Sequence, residues 1–377
     1  ANTFFQQTHP PAAEFAAELA ALAPAHVNRV FFANSGSDAN DTAFRLARVY
    51  WDAMGKPSKK AFISRRNAYH GSTVAAASFG GMGAMHAQSG LPIEGIHHVG
   101  QPYWFGEGRP EGLTPHDFGV LRARELAAKI DELGEEHVAA VIAEPIQGAG
   151  GVIIPPESYW PELARLLEGR EVLLIADEVI CGFGRTGTMW GSTTYGLTPD
   201  LMTIAKGMTG GYLPAGGLMV SDRVAEPVIE HAGEVFHGYT WAAHPAACAA
   251  GLATLRIMRE ERLVERVSET LAPKLAALWA GLADHPLVGE ARTQGLLGAL
   301  EIVADETTLA RFPAEAEAGT RARDLAAAHG LVMRAVGDTL VVSPPYVITE
   351  AELDELARRA RATLDALADA MARAGRA

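Results

Sequence analysis

Four short stretches of this chain carry residues whose types could do chemistry. In LLIADEVICGFGRTG (residues 173–187), Asp177 closes a run of Leu, Ile and Ala. A carboxylate at the end of a greasy strand is costly unless something cationic meets it. In open α/β sheets the carboxyl ends of strands form the ligand crevice, so Asp177 is either a site acid or the partner in a structural ion pair or helix cap. In TIAKG (203–207), Lys206 follows an apolar run and precedes Gly207. Held in an apolar, cation-lined site, a lysine loses basicity and becomes a nucleophilic amine; on a surface it simply snorkels. In NSGSDAND (34–41), Ser35, Gly36 and Ser37 turn a strand into a helix. N–H groups at a helix start attract an anion, and a glycine there lets a phosphate approach. A plain serine N-cap, with Asp38 and Asp41 complementing the dipole, explains the same letters. In AYHGST (68–73), Tyr69 offers a stacking surface at a strand exit and His70 a ring to orient a neighbour; the alternative is two core aromatics.

The first stretch also contains a rival. Residues 182–187 match G-x-G-x-x-G letter for letter. A dinucleotide turn needs a strand before this pattern and a helix after it. The residues downstream, TMWGSTTYGLTPD (188–200), are rich in Gly and Thr and close on a Pro-Asp pair, which makes poor helix. The glycines read better as a loop of tight turns.

The elements that must hold these residues alternate. Residues 29–34, 61–65, 138–144, 172–180, 201–205 and 216–221 read as strands. Their apolar runs are continuous, as expected where both faces of a sheet are covered. Between residues 38 and 54, Ala43, Ala47, Tyr50 and Met54 recur at helical spacing. The expectation is an α/β fold with a mainly parallel sheet flanked by helices. After about Gly251 the pattern changes. Leu263, Val267, Leu271, Leu275, Leu278 and Leu282 mark one face of a long helix with a kink expected at Pro273. Strands at 295–303, 331–336 and 339–344, a helix around 321–328 and a final Ala/Arg-rich helix complete a smaller α+β unit. The boundaries read as 1–251 for the large domain and 252–377 for the small one.

The chain has 377 residues and a formal net charge of −13. That acidity speaks against nucleic acid or an anionic membrane as partner. No apolar run approaches the ~20 residues that span a bilayer, and the opening ANTFFQQTHP lacks the basic and apolar regions of a signal peptide. Cys181 and Cys248 are too few and too far apart in sequence for a disulfide framework or a zinc site, so the cytoplasm is the default compartment. No H-E-x-x-H occurs, and His97 and His98 read as ordinary loop or core residues.

Phosphate turn, acid, lysine and stacking ring together are the parts needed to hold pyridoxal phosphate: an anchor for its phosphate, a partner for its ring nitrogen and an amine for its aldehyde. At this point the sequence resembles the class III pyridoxal-phosphate aminotransferases, and within them the omega-amino-acid or amine:pyruvate branch. The resemblance spans essentially the whole chain, through NSGSDAND, AYHGST, AEPIQGAGG, LLIADEVICGFGRTG, PDLMTIAKG, HGYTWAAHPAACAA and MRAVGDTLVVSPPYVIT. It implies the type I fold of pyridoxal-phosphate enzymes with a seven-stranded sheet. It makes Lys206 the Schiff-base lysine and Asp177 the partner of the pyridinium nitrogen. Ser35, Gly36 and Ser37 would bind phosphate, with Tyr69 on one ring face, Val179 on the other, and His70 and Glu144 in support. Thr240 would reach the phosphate of the neighbouring subunit's cofactor, which implies a homodimer with shared sites, or a tetramer of such dimers. Arg334 would pair with a substrate carboxylate and swing away for uncharged groups, a task that suits a planar bidentate donor.

The implied reaction takes nitrogen from an amine or omega-amino acid and gives it to pyruvate or another keto acid. Relatives acting on ornithine, acetylornithine or 4-aminobutyrate usually carry Gln at the position of Ile180, so Ile180 tilts the expectation toward pyruvate-linked amine donors. Those other aminotransferases, an aminomutase or decarboxylase on the same scaffold, and a non-catalytic scaffold subunit are the alternatives. Cys181 stands where many relatives have Thr and reads as a small core substitution. The chain also begins well inside the family's pattern; the expectation is an earlier segment, disordered or trimmed, that lines part of the substrate pocket.

Overall fold

The computed structural model describes residues 7–374, so the first six residues of ANTFFQQTHP lie outside it. Its centre is a seven-stranded sheet: β1 (Val27–Ala33), β2 (Ala61–Arg65), β3 (Ile96–Val99), β4 (Val138–Ala143), β5 (Leu173–Asp177), β6 (Leu201–Ile204) and β7 (Gly216–Ser221). The spatial order is β1-β7-β6-β5-β4-β2-β3. The run from β3 to β6 is parallel, and β7 alone is antiparallel to both its neighbours, β6 and β1. The sheet is therefore mainly parallel.

β4 shows why these strands read as unbroken apolar runs. Every residue of VAAVIA is buried, and from Ala140 to Ala143 alternate side chains serve different layers. Ala140 and Ile142 join the core under the helix Gly36–Ala53, with Ala43, Ala47 and Tyr50. Val138, Val141 and Ala143 join the opposite core, with Ala123, Leu126 and Ile130 of the helix Pro115–Leu133. A third core binds the helices Pro10–Leu22 and Pro245–Glu260 to β6 and β7 through Phe15, Leu19, Met202, Met219 and Leu255.

A second, antiparallel sheet comes later in the chain: β8 (Val288–Gln294), β9 (Leu297–Ile302), β10 (Arg334–Val336) and β11 (Thr339–Val342), in the order β10-β11-β9-β8. The helices Ala272–Ala280, Ala318–Ala328 and Glu350–Ala374 pack on it around Leu275, Ala322, Leu340 and Leu364.

Several boundaries differ from the sequence reading. The helix expected over 38–54 starts at Gly36 and stops at Ala53, leaving Met54 as a cap, 40% exposed. The strand expected over 172–180 stops at Asp177, where its carboxylate accepts the backbone N–H of Val179 and turns the chain. The long helix expected from Leu263 is interrupted rather than simply kinked: Leu263–Arg266 is α, Val267–Leu271 is a π turn, and Ala272–Ala280 is α again. Pro273 lacks an N–H and its ring crowds the preceding turn, which widens to take it; Leu263, Val267, Leu271 and Leu275 stay buried. β3 and β8 were not anticipated. His97 and His98 lie on β3, half-buried at the sheet edge rather than in a loop. Among the described residues no helix is long and apolar enough to cross a membrane.

Candidate functional site

Strand direction decides where the chemistry gathers. β1, β2, β4, β5 and β6 all run the same way, so the loops leaving them meet at one edge. A cavity of about 510 Å³ opens there. It is lined by Ser35, Gly36 and Ser37 after β1, Tyr69 and His70 after β2, Glu144 after β4, Asp177 and Val179 from β5, and Lys206 after β6. The crevice lies where open α/β sheets bind ligands.

Asp177 is 3% exposed. Its Oδ2 is 2.7 Å from His70 Nδ1 and accepts from Asn40 Nδ2 at 2.9 Å; Oδ1 accepts from Val179 N at 3.1 Å. Burial pushes this carboxyl up, but the His70 and Asn40 bonds outweigh that and hold it below the ordinary aspartate value. An ionised Asp177 accepts, so the network assigns a hydrogen to Nδ1 of His70; Nε2 then lies 3.4 Å from Ser64 Oγ. Asn40 also donates to His70 O at 2.7 Å, tying the acid and the histidine to the helix Gly36–Ala53. The sequence reading missed Asn40. Its signal was an amide one turn before Ala43 and two turns before Ala47, on the face that faces the core.

The phosphate turn is built on the same helix. Ser35 is its N-cap, its Oγ accepting from Asp38 N at 3.2 Å and its carbonyl from Ala39 N at 3.1 Å. Gly36 and Ser37 line the cavity. A Cβ on Gly36 would stand 2.9 Å from Val179 Cγ2, so this glycine admits Val179 as well as any anion. Ser37 Oγ accepts from Ser72 N at 3.1 Å, and Gly71, at φ 137, brings the backbone where a Cβ would lie 2.5 Å from that oxygen. Glu144 pins the neighbouring loops: Oε1 accepts from Tyr69 N at 3.0 Å and Oε2 from Gly148 N at 2.9 Å. Its burial pushes the carboxyl up.

Lys206 departs from expectation in one respect. It is exposed within the crevice rather than buried, because the chain leaves β6 at Ile204 and enters a 3-10 turn, Lys206–Thr209, with Lys206 itself at φ 44. Left-handed backbone at a non-glycine residue persists only where the surroundings hold it, and clusters at functional sites. No protein group among the described residues pairs with its side chain. Lys206, Val179 and Ile180 also line a second cavity of about 410 Å³, which holds Arg334 and Arg185 and, among the described residues, no acidic side chain. Arg185 spends two bonds on the carbonyls of Leu296 and Pro344 and lies over the Tyr346 ring; Arg334, first residue of β10, is exposed. Thr240 lines neither cavity and lies exposed on a loop that Tyr239 ties to Asp38 O at 2.9 Å.

β5 and β6 are in register with Asp177 opposite Thr203, so Lys206 lies three residues further along. Both residues line the same cavity of about 510 Å³, so an acid and an amine border a space with room for a six-membered ring. An ionised acid, a glycine-containing helix start and an amine without a protein partner fit pyridoxal phosphate. The G-x-G-x-x-G segment has no such context: the helix after it, Gly191–Thr194, is one turn long.

Residues 2–364 match the aminotransferase class-III family, and the chain belongs to it. That family is pyridoxal-phosphate dependent, so the chain is an aminotransferase of that type. It is 52% identical over 370 residues to the putrescine–pyruvate aminotransferase of Pseudomonas aeruginosa, covering 98% of this chain and 80% of that protein. Among solved structures it is similar to a transaminase described with L-ala (TM-score 0.95, 36% identity, 98% of this chain and 88% of that one). It is also similar to a thermostable (S)-enantioselective omega-transaminase from Thermomicrobium roseum (TM-score 0.92, 40% identity, 97% and 81%).

Proposed function

We infer that this aminotransferase moves nitrogen from an amine or omega-amino acid to pyruvate or a similar keto acid. The observation that carries the reading is that Lys206 stands where two cavities meet, with Asp177 in one and Arg334 in the other. When bound, pyridoxal phosphate supplies an electron-drawing ring. Ser35, Gly36 and Ser37 would take its phosphate at the helix start. Asp177, held ionised by His70 and Asn40, would keep the ring nitrogen protonated. Tyr69, fixed through its backbone by Glu144, would stack on one face, and Val179 would pack on the other. Lys206 would hold the aldehyde carbon, then carry a proton between substrate and cofactor carbons. A keto-acid carboxylate would meet Arg334 in a cavity whose charged wall is basic.

The putrescine named for the Pseudomonas relative supports an aliphatic amine donor. A homodimer is supported by the exposure of Phe236 and Trp241, at 79% and 60%, on the segment that carries Thr240, and of Tyr212, at 85%, at the first cavity. In it, Thr240 would reach the partner subunit's cofactor phosphate. We place the domain division at 1–251 and 252–377 and the enzyme in the cytoplasm. A donor panel with pyruvate as acceptor tests the reading: alanine must form at the donor's expense. Lys206→Ala is expected to abolish that turnover and the visible absorbance of lysine-held cofactor. Near-normal turnover in this variant would end the assignment, and turnover without a keto acid would favour a decarboxylase or aminomutase.

A further inference from the structure

One wall of the second cavity is made by Gly148, Ala149 and Val152. Val152 is fully buried at φ 52, and Gly151 before it is at φ 121. A β-branched residue in the left-handed region is an outlier that persists only when its surroundings over-determine it. One end of the segment is held from the cofactor cavity, by Glu144 on Gly148 N. The other end is held from the second sheet. Arg292 of β8 donates through Nε to Val152 O at 2.7 Å and through Nη2 to Gly151 O at 2.6 Å. Its Nη1 lies 2.6 Å from both Glu290 Oε2 and Glu301 Oε1.

Glu301 on β9 is fully buried. It also bonds the Tyr103 hydroxyl, Thr339 Oγ1 at 2.9 Å and Arg311 Nη2 at 2.8 Å. Burial pushes its carboxyl up, but Arg292 and these partners together hold it below the ordinary glutamate value. Arg292 is 10% exposed at its side chain, and its guanidinium lies 5.1 Å from the Tyr103 ring centre. A planar fork of donors is needed to meet two successive carbonyls and two carboxylates at once, which a lysine cannot do.

We propose that Arg292, locked by Glu301, is a positioning residue that holds the Gly151–Val152 end of the Gly148–Val152 wall, in the cavity that Lys206 and Arg334 also line, and thereby sets the size of side chain the keto-acid site accepts. The proposal rests on the reading that this cavity takes the substrate. β11, which bears Thr339, pairs with β10, which bears Arg334, and on its other side with β9, which bears Glu301. Arg334 and the ion cluster that holds the wall are thus carried by one antiparallel sheet.

The test compares the wild-type holoenzyme with Arg292→Lys, which keeps the charge beside Glu301 but loses the fork. Two quantities are read: kcat/KM for pyruvate against a bulky keto acid such as phenylpyruvate, and amide hydrogen exchange over residues 148–153. The expected result is faster exchange in that segment. The bulky-to-small ratio should shift about tenfold in favour of the bulky acid, the scale of one charged hydrogen bond, with cofactor absorbance unchanged. Equal losses on both acids, or wild-type exchange over 148–153, would overturn the proposal. Should Arg292→Lys fail to fold, the pair Arg292→Met with Glu301→Gln, which leaves no unpaired buried charge, gives the same two readings. A wild type with no keto-acid turnover would sink the functional reading instead, while the exchange data still decide whether Arg292 holds the wall.

Discussion

Gly36 gives the most direct test of how the cofactor cavity is packed. It begins the helix Gly36–Ala53 and lies outside the left-handed region, so alanine is conformationally allowed there. The obstacle is Val179. An added Cβ would sit 2.9 Å from its Cγ2 and 3.2 Å from its Cγ1, and the third atom nearest to it is again Val179's own Cβ. Carbon atoms rest at roughly 3.5–4.0 Å, so Val179 must shift by about half an ångström or change rotamer. Overpacking of this size costs about 1–3 kcal/mol. Without cofactor, Val179 can turn into the open cavity and avoid much of that cost. With the ring bound, it is caught between the new methyl and the ring. The penalty therefore falls on cofactor affinity, as roughly a 5- to 150-fold rise in Kd. Absorbance or fluorescence titration of the apoenzyme with pyridoxal phosphate measures it. Val179→Ala removes both clashing methyls, so the double variant should bind the cofactor better than Gly36→Ala alone, with a coupling energy of about 1 kcal/mol or more. A phosphate that needs the space itself would give a different result: Val179→Ala would not rescue Gly36→Ala, and additive losses would refute the packing argument.

Two further perturbations probe the neighbouring groups. Glu178, fully buried beside Asp177, accepts from the backbone N–H groups of Gly191 and Ser192, yet burial pushes its carboxyl up to about 7. Between the unfolded value and about 7 the folded chain keeps a proton that the unfolded chain has lost, so this stability is fully present at low pH and drains away as pH rises through about 7. Glu178→Gln should flatten that slope, worth on the order of 3 kcal/mol; urea midpoints from about pH 5 to 8 that keep the wild-type slope would contradict it. Arg334→Ala should raise the KM for pyruvate roughly 10- to 100-fold, the scale of lost charge-assisted hydrogen bonds. It should leave the KM for a carboxylate-free amine within about twofold, and parallel rises for both would remove Arg334 from substrate recognition.

What could be read from the sequence was whatever a single segment determines by itself. β4 is legible because both faces of VAAVIA are buried, and Lys206 and Asp177 stand out because each breaks such a run. β8 was illegible for a physical reason: VGEARTQ interrupts its apolar residues Val288 and Ala291 with Glu290 and Arg292, because the strand serves an ion cluster as well as an apolar layer. Asn40 carried no signal of its partner until the fold brought it to Asp177 from 137 positions away.

The relation between Asp177 and Lys206 belongs to neither strand alone. It is set by the β5–β6 register, with Asp177 opposite Thr203. A slip of one residue would turn every side chain of one strand to the other face. Met202 and Ile204 would then leave the core opposite the one that Leu201 and Ile175 fill, and the turn that begins at Lys206 would be displaced along Asp177. The packing that fixes the cores therefore also fixes the distance between acid and amine, and the site is positioned by hydrophobic register before any cofactor is bound.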